Sequence, residues 1–309
     1  MNFQENEIED RLSVIGTYYD LDTLLSDKTD NEAISRYYRK SDFFYNLLHS
    51  HGGYNIHMGL SDDAFFHKED FEKQARFVGE FLGGSSMRVL EVGAGRLANT
   101  RLLAKLFPQH QFTALDLPNR NFLKNKVPSN VTLVEGDYND LSAFQSQPFD
   151  IIFGVETVCH ADSKSQVIGE ISKVLKPGGK LILFDVYEPK SHEEMSDFEK
   201  RASAITLAGM RVTAKDQFIG DMLKYLELHQ FTGIEVTDMT RAIRPTLRKL
   251  SRLYTHYFMH PRLLKILKKW LSYDVTINSI AGSLMLFTFD GENIHRYCRI
   301  VATKANEMC

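Results

Sequence analysis

The sequence predicts an α/β fold: a doubly wound, mainly parallel sheet of seven strands with an N-terminal helical cap and helical insertions near the C-terminus. Three observations lead there. From Met87 onward, short apolar runs alternate with helix-length segments, the rhythm of consecutive βαβ units. Runs such as DIIFGV (150–155) and KLILF (180–184) are apolar throughout instead of alternating, as strands covered by helices on both faces must be. A glycine-bearing turn, Gly93-Ala94-Gly95, directly follows the first of these strands.

Taken in order, residues 1–85 carry helical patterning and many aromatics, among them Tyr18, Tyr19, Tyr37, Tyr38, Phe43, Phe44 and Tyr45, and are expected to cap the sheet. Gly83-Gly84-Ser85-Ser86 reads as the hinge into a core domain spanning 86–309. There RVLEVGA is the first strand, followed by a helix near Thr100 to Phe107, the strand QFTALDL, a helix near Asn121 and the strand VTLVEGD. FDIIFGVE comes next, then a helix from Ser163 to Leu175 with Val167, Ile168, Ile171, Val174 and Leu175 at helical spacing. The turn Lys176-Pro177-Gly178-Gly179 leads into KLILFDVY. Helical insertions are expected at about 188–212 and 241–280, separated by a helix from Lys215 to His229 and the strand GIEVTDMT. A last strand lies near Tyr297 to Thr303.

With 309 residues, 43% hydrophobic and 25% charged, the chain has a globular composition. Its first ten residues are acidic and polar, unlike a secretory signal, so a cytoplasmic location is expected. Cys159, Cys298 and Cys309 are odd in number and far apart, a pattern of reduced thiols with no disulfide framework or metal site. The net charge of −3 argues against a chain that coats nucleic acid, but the charge is uneven. Between Met239 and Tyr273 there is no Asp or Glu, while Arg241, Arg244, Arg248, Lys249, Arg252, Arg262, Lys265, Lys268 and Lys269 are all cationic. Leu247, Leu250, Leu253, Tyr254, Leu263, Leu264, Ile266, Leu267 and Trp270 interleave with them. Three readings of segment 241–270 stay open: a solvated helix face, peripheral contact with an anionic membrane surface, or arginines that bind an anionic group on a substrate.

In open parallel sheets ligands bind beyond the carboxyl ends of the strands, where strand order reverses, and the first glycine-rich turn marks that place. Gly93-x-Gly95-x-x-Ala98, with Asp116 further on, also fits a dinucleotide fingerprint, so an NAD-dependent oxidoreductase is one reading. Glu91 tilts the choice, because a carboxylate at the mouth of the strand suits a cationic sulfonium and its ammonium group better than a pyrophosphate. Asp137, ending the third strand, offers an acceptor for an adenine amine. Each acid, taken alone, could also be a helix cap.

With these residues and Leu175-Lys176-Pro177-Gly178-Gly179 before the fifth strand, the chain resembles a class I S-adenosylmethionine-dependent methyltransferase from about Met87 to Tyr187. The resemblance implies a Rossmann-like core and S-adenosyl-L-methionine as cofactor. Glu91 and the Gly93, Ala94 and Gly95 turn would hold its methionine portion, Asp116 and the following Leu117 its ribose, and Asp137 with Tyr138 its adenine. Leu97 stands where that family usually has a third glycine, which implies a wider turn or a displaced helix start.

The segment Val155-Glu156-Thr157-Val158-Cys159-His160-Ala161-Asp162 is similar to its counterpart in sterol C-methyltransferases, and Tyr37-Tyr38 with Asn55-Ile56-His57-Met58-Gly59 resembles the cap of sterol, tocopherol and glycine-type enzymes. In that group a cap aromatic closes over the cofactor, here Tyr38, and Glu156 touches it. For an acceptor that loses a proton, His160, Glu156 or His57 are the candidate bases; a purely cofactor-touching or helix-capping role for Glu156 and His160 stays open. The expected activity is methyl transfer to a small lipophilic or aromatic acceptor, with no metal and no nucleic-acid partner. A cofactor-binding protein without catalysis is the remaining alternative.

Overall fold

The computed structural model describes residues 3–27, 30–44, 55–118, 127–260, 262, 264, 266, 273–290 and 294–306. Seven strands form one sheet in the order β3-β2-β1-β4-β5-β7-β6. They are β1 (Arg88–Val92), β2 (Gln111–Asp116), β3 (Val131–Glu135), β4 (Phe149–Val155), β5 (Leu175–Tyr187), β6 (Phe231–Asp238) and β7 (Arg296–Lys304). β7 alone runs against its neighbours, inserted between β5 and β6. Strand order reverses between β1 and β4, which pair in parallel with Val92 beside Gly154, so the crevice predicted from the glycine turn opens above these two strand ends.

In the central strands β1, β4 and β5 successive residues point to opposite faces and bury there, which is why those runs are apolar without alternation, whereas the outer strands β3 and β6 stay largely accessible. Val89, Ile151, Phe153, Ile182 and Phe184 pack on one side with α4 (Lys73–Gly79) and α5 (Ala98–Leu106). Leu90, Ile152, Leu181 and Leu183 pack on the other with α6 (Lys164–Val174) and α8 (Ile219–Leu228). Ser163 caps α6, its hydroxyl accepting from the Gln166 amide at 3.3 Å.

A helical layer gathers the remaining elements: α1 (Phe3–Gly16), α2 (Leu21–Ser26), α3 (Asn31–Phe44), α7 (Asp197–Gly209), α9 (Thr240–Phe258) and α10 (Tyr273–Asp290). α7 starts at a capping box in which Ser196 and Glu199 satisfy each other's backbone amides. α10 is apolar nearly all round and is buried accordingly, with Ile277, Ile280 and Leu284 packing against Ile8, Leu12 and Tyr37 of the N-terminal helices. It runs to Asp290, ten residues past the expected end of the second insertion. The helix expected near Asn121 and residues Tyr45, Leu263, Lys265, Leu267, Lys268, Lys269, Trp270 and Cys309 lie outside the described residues, as do the side chains of Phe43 and Phe44. No helix among the described residues is long and apolar enough to cross a membrane.

Candidate functional site

The turn after β1 is built from three left-handed residues: Gly93 (φ 65°), Gly95 (φ 52°) and Leu97 (φ 67°). A Cβ on Gly93 would lie 1.8 Å from Thr157 Oγ1, so this glycine is required by packing of the β4 loop. A Cβ on Gly95 would meet only the Ile56 side chain, at 3.1 Å. Leu97 makes the third left-handed step without glycine, at a conformational cost of about 1–2 kcal/mol, and α5 begins at the next residue. Its side chain is fully buried with Ala94 and Ala114, which offsets the strain.

Glu91 ends almost buried beneath this turn. Asn99 Nδ2 donates to its Oε1 at 3.0 Å, and the Thr100 amide and hydroxyl donate to Oε2. Burial pushes its carboxyl up to about 7, these hydrogen bonds pull the other way, and Asp116 nearby adds repulsion. Asp116 is buried at the end of β2, where it accepts from the Gly95 amide and, at 2.7 Å, from the Leu117 amide. Two buried carboxyls thus flank one turn, a setting that favours a cationic ligand.

Both acids, together with Gly93, Ala94, Gly95, Leu117 and Tyr138, line a cleft of about 780 Å³. Its far wall is one face of α3: Asn31, Ile34 and Tyr38 follow the i, i+3, i+7 spacing that aligns side chains on a helix. Asp137 stays outside the wall, at the rim, where its Oδ2 accepts from Asn31 Nδ2 at 2.6 Å and its Oδ1 from the Asn139 amide at 2.9 Å. Tyr138 is in the wall, its hydroxyl donating to the Thr157 carbonyl at 3.2 Å.

Glu156, the residue after β4, holds the left-handed conformation (φ 49°). Three bonds fix it: its amide donates to Phe184 O at 2.8 Å, while its Oε1 accepts from the Met58 amide at 2.7 Å and the Tyr297 hydroxyl at 2.9 Å. Burial pushes its carboxyl up to about 8. His160 Nδ1 lies 2.7 Å from Arg211 O, and a carbonyl can only accept, so Nδ1 carries a proton. In the neutral ring Nε2 is then an acceptor, and the Tyr38 hydroxyl stands 3.0 Å from it.

His57 also faces the cleft, but its Nε2 donates to Phe71 O at 2.9 Å and burial lowers its pKa to about 4. Burial favours its neutral form and its Nε2–H is committed to the Phe71 carbonyl, so it is a weaker candidate base than His160. Cys159 is buried and its thiol is pushed well above the usual range by burial, consistent with packing and not with nucleophilic attack. Among the described residues no group of three His, Cys, Asp or Glu side chains converges as a metal site requires.

A second, mainly apolar chamber of about 800 Å³ adjoins the cleft. Tyr38, Ile56, Glu156 and His160 line both. Beyond them its walls are Met58, Met210, Met285, Leu250, Leu253 and Tyr254, with Asn278 adding an amide. The partners Asn31, Asn99, Thr100, Arg211 and Tyr297 had no local sequence signal, apart from the polar pair Asn99-Thr100 at the start of a helix that follows a glycine turn.

Residues 90–183 match the family model described as "Methyltransferase domain". The chain is 27% identical over 161 residues to a glycine/sarcosine/dimethylglycine N-methyltransferase of Actinopolyspora halophila, covering 48% of this chain and 28% of that protein. It is 25% identical over 170 residues to a sterol 24-C-methyltransferase of Debaryomyces hansenii, covering 52% and 44%. The chain therefore spans less than half the length of these two relatives. In fold it is similar to a putative sarcosine dimethylglycine methyltransferase from Galdieria sulphuraria, with a TM-score of 0.70 at 16% identity over 88% of this chain and 99% of the other. The methyltransferase match decides between the two readings of the glycine turn against the dinucleotide one. Over residues 90–183 the chain matches the methyltransferase-domain model, and it resembles the class I S-adenosylmethionine-dependent methyltransferases, the sterol C-methyltransferases among them.

Proposed function

We propose that this protein transfers a methyl group from S-adenosylmethionine to a small lipophilic acceptor, and that the carrying observation is the junction of cleft and chamber at Tyr38, Ile56, Glu156 and His160. The cleft suits that cofactor by its own chemistry: Glu91 and Asp116 offer buried carboxyls to a cation and to ribose hydroxyls, and the Gly95 backbone leaves room for close approach. On this reading Tyr138 in the wall and Asp137 at the rim frame the adenine. Bound there, S-adenosylmethionine supplies an electrophilic methyl group on a cationic sulfur.

What the chain itself contributes is alignment, exclusion of water and a route for a proton. The chamber's methionines and leucines favour an apolar acceptor and fit irregular shapes. A proton leaving the acceptor passes to the Tyr38 oxygen as the Tyr38 hydroxyl proton passes to His160 Nε2, and the imidazolium so formed keeps its Nδ1–H bond to Arg211 O. Glu156, with a carboxyl raised to about 8 and two donors on one oxygen, positions Tyr297 and the Met58 backbone at the junction.

The test is isothermal titration with S-adenosylhomocysteine on the wild type and on Asp116→Ala, with NADH as competitor. Micromolar binding that the substitution weakens supports the reading and opens a screen of lipophilic acceptors. Binding of NADH in place of S-adenosylhomocysteine overturns it.

A further inference from the structure

One face of α9 roofs the apolar chamber with Leu250, Leu253 and Tyr254. Its opposite face is cationic: Arg241, Arg244, Arg248 and Arg252 recur at three- or four-residue intervals and so form a single stripe along the helix. Arg241 and Arg252 are exposed, and Arg248 reaches only to Ala64 O, at 3.5 Å. Among the described residues Arg241, Arg248 and Arg252 make no ion pair; the nearby acids are matched elsewhere, Asp238 with Arg296, Asp62 with Lys73 and Asp63 with His67.

Met259, at the C-cap of α9, is an apolar side chain left in solvent (68% exposed), as is Ile266 further along the chain (55% exposed). At the other end of the stripe Arg241, Arg244 and Arg296 rim a groove floored by Leu247, Leu286 and Phe289, with Asp238 beside them. Cations above an apolar floor match a molecule with a phosphate at one end and methylenes behind it. The nine cations between residues 239 and 273, set in a chain of net charge −3, leave the rest of the protein acidic, so an anionic surface would attract this face and repel the others.

We propose that the cationic face of α9 docks the protein peripherally on an anionic phospholipid bilayer, with the opposite face of the same helix walling the acceptor chamber. The helix lies on the surface and does not insert its apolar face, which is committed to the protein core; Met259 and Ile266 provide the shallow apolar contact. A bilayer fits better than another polyanion because the exposed apolar Met259 follows Arg252 at the stripe's own seven-residue spacing, and because a lipophilic acceptor would be presented next to the chamber. That second reason rests on the acceptor reading above.

The test is co-sedimentation of the full chain with vesicles of phosphatidylcholine alone and of phosphatidylcholine mixed evenly with phosphatidylserine, at low and high sodium chloride. Binding is expected only to the mixed vesicles, and salt should weaken it. The variant carrying Arg241→Gln, Arg248→Gln and Arg252→Gln together should bind them on the order of 100-fold more weakly while keeping its affinity for S-adenosylhomocysteine. Equal binding to both vesicles, insensitivity to salt, unchanged binding by the variant, or binding to a single-stranded polynucleotide and not to vesicles would each overturn the proposal. Failure of the wild type to bind S-adenosylhomocysteine, with vesicle binding intact, would sink the methyltransferase reading and leave the docking surface standing.

Discussion

The Tyr38 hydroxyl and His160 Nε2 stand 3.0 Å apart although 122 residues separate them, and the Arg211 carbonyl on the other side of the imidazole decides which nitrogen accepts. With an acceptor that loses a proton, Tyr38→Phe and His160→Gln should each lower kcat by about 10²- to 10⁴-fold. Affinity for S-adenosylhomocysteine should change little in His160→Gln, measured by titration calorimetry. Full turnover in both variants would show that the proton leaves by another path.

The raised carboxyls of Glu91 and Glu156 make stability depend on pH in a definite direction. A folded carboxyl at about 7 or about 8, against 4.5 as its ordinary value, holds a proton that the unfolded chain has already lost. Their contribution therefore falls as pH rises from about 4.5 through those values and is constant above them. Glu91→Gln should be more stable than the wild type by about 1–3 kcal/mol at pH 9 and by much less at pH 5, followed by urea unfolding. The same variant should bind S-adenosylhomocysteine more weakly. A stability gap that does not grow with pH would mean that Glu91 is not buried as described.

Gly282 sets the size of the chamber, since a Cβ there would lie 2.0 Å from Tyr254 Cδ2. Gly282→Ala must displace the Tyr254 ring, which lines the same chamber, and so reshape it. Bulky acceptors should then lose roughly tenfold in kcat/KM relative to small ones, with S-adenosylhomocysteine affinity unchanged. Equal losses for small and bulky acceptors would point to a general packing defect.

Leu97→Gly sets two effects against each other. It relieves about 1–2 kcal/mol of left-handed strain but empties a fully buried leucine site worth about 2–5 kcal/mol. The net expectation is a loss of stability of about 2 kcal/mol by denaturant unfolding. A stabilised variant would mean that strain dominates and that the cluster with Ala94 and Ala114 contributes little.

The centre of the sheet was legible because its strands bury both faces, so the apolar runs ending at Val92, Asp116 and Val155 mark themselves. The acids of the cleft were legible because their positions follow from strand ends. What the sequence hid was partnership across distance. Tyr297 reaches Glu156 across 141 residues, and Asn31 reaches Asp137 across 106, with no periodicity linking either pair. Asp137 was expected at the end of the third strand and inside the site, yet β3 stops at Glu135 and Asp137 sits in the loop beyond it, held at the rim by Asn31. His57, expected as a candidate base, lines the cleft, but its packing against Phe71 could not be read from its neighbours in the chain.

α3 brings Asn31 to the rim of the cleft and, two turns on, Tyr38 to the boundary with the chamber. One helix therefore lines both the cleft and the chamber. Under the methyl-transfer reading, cofactor and acceptor would lean on this common wall, and a substitution that shifts α3 should alter both affinities together.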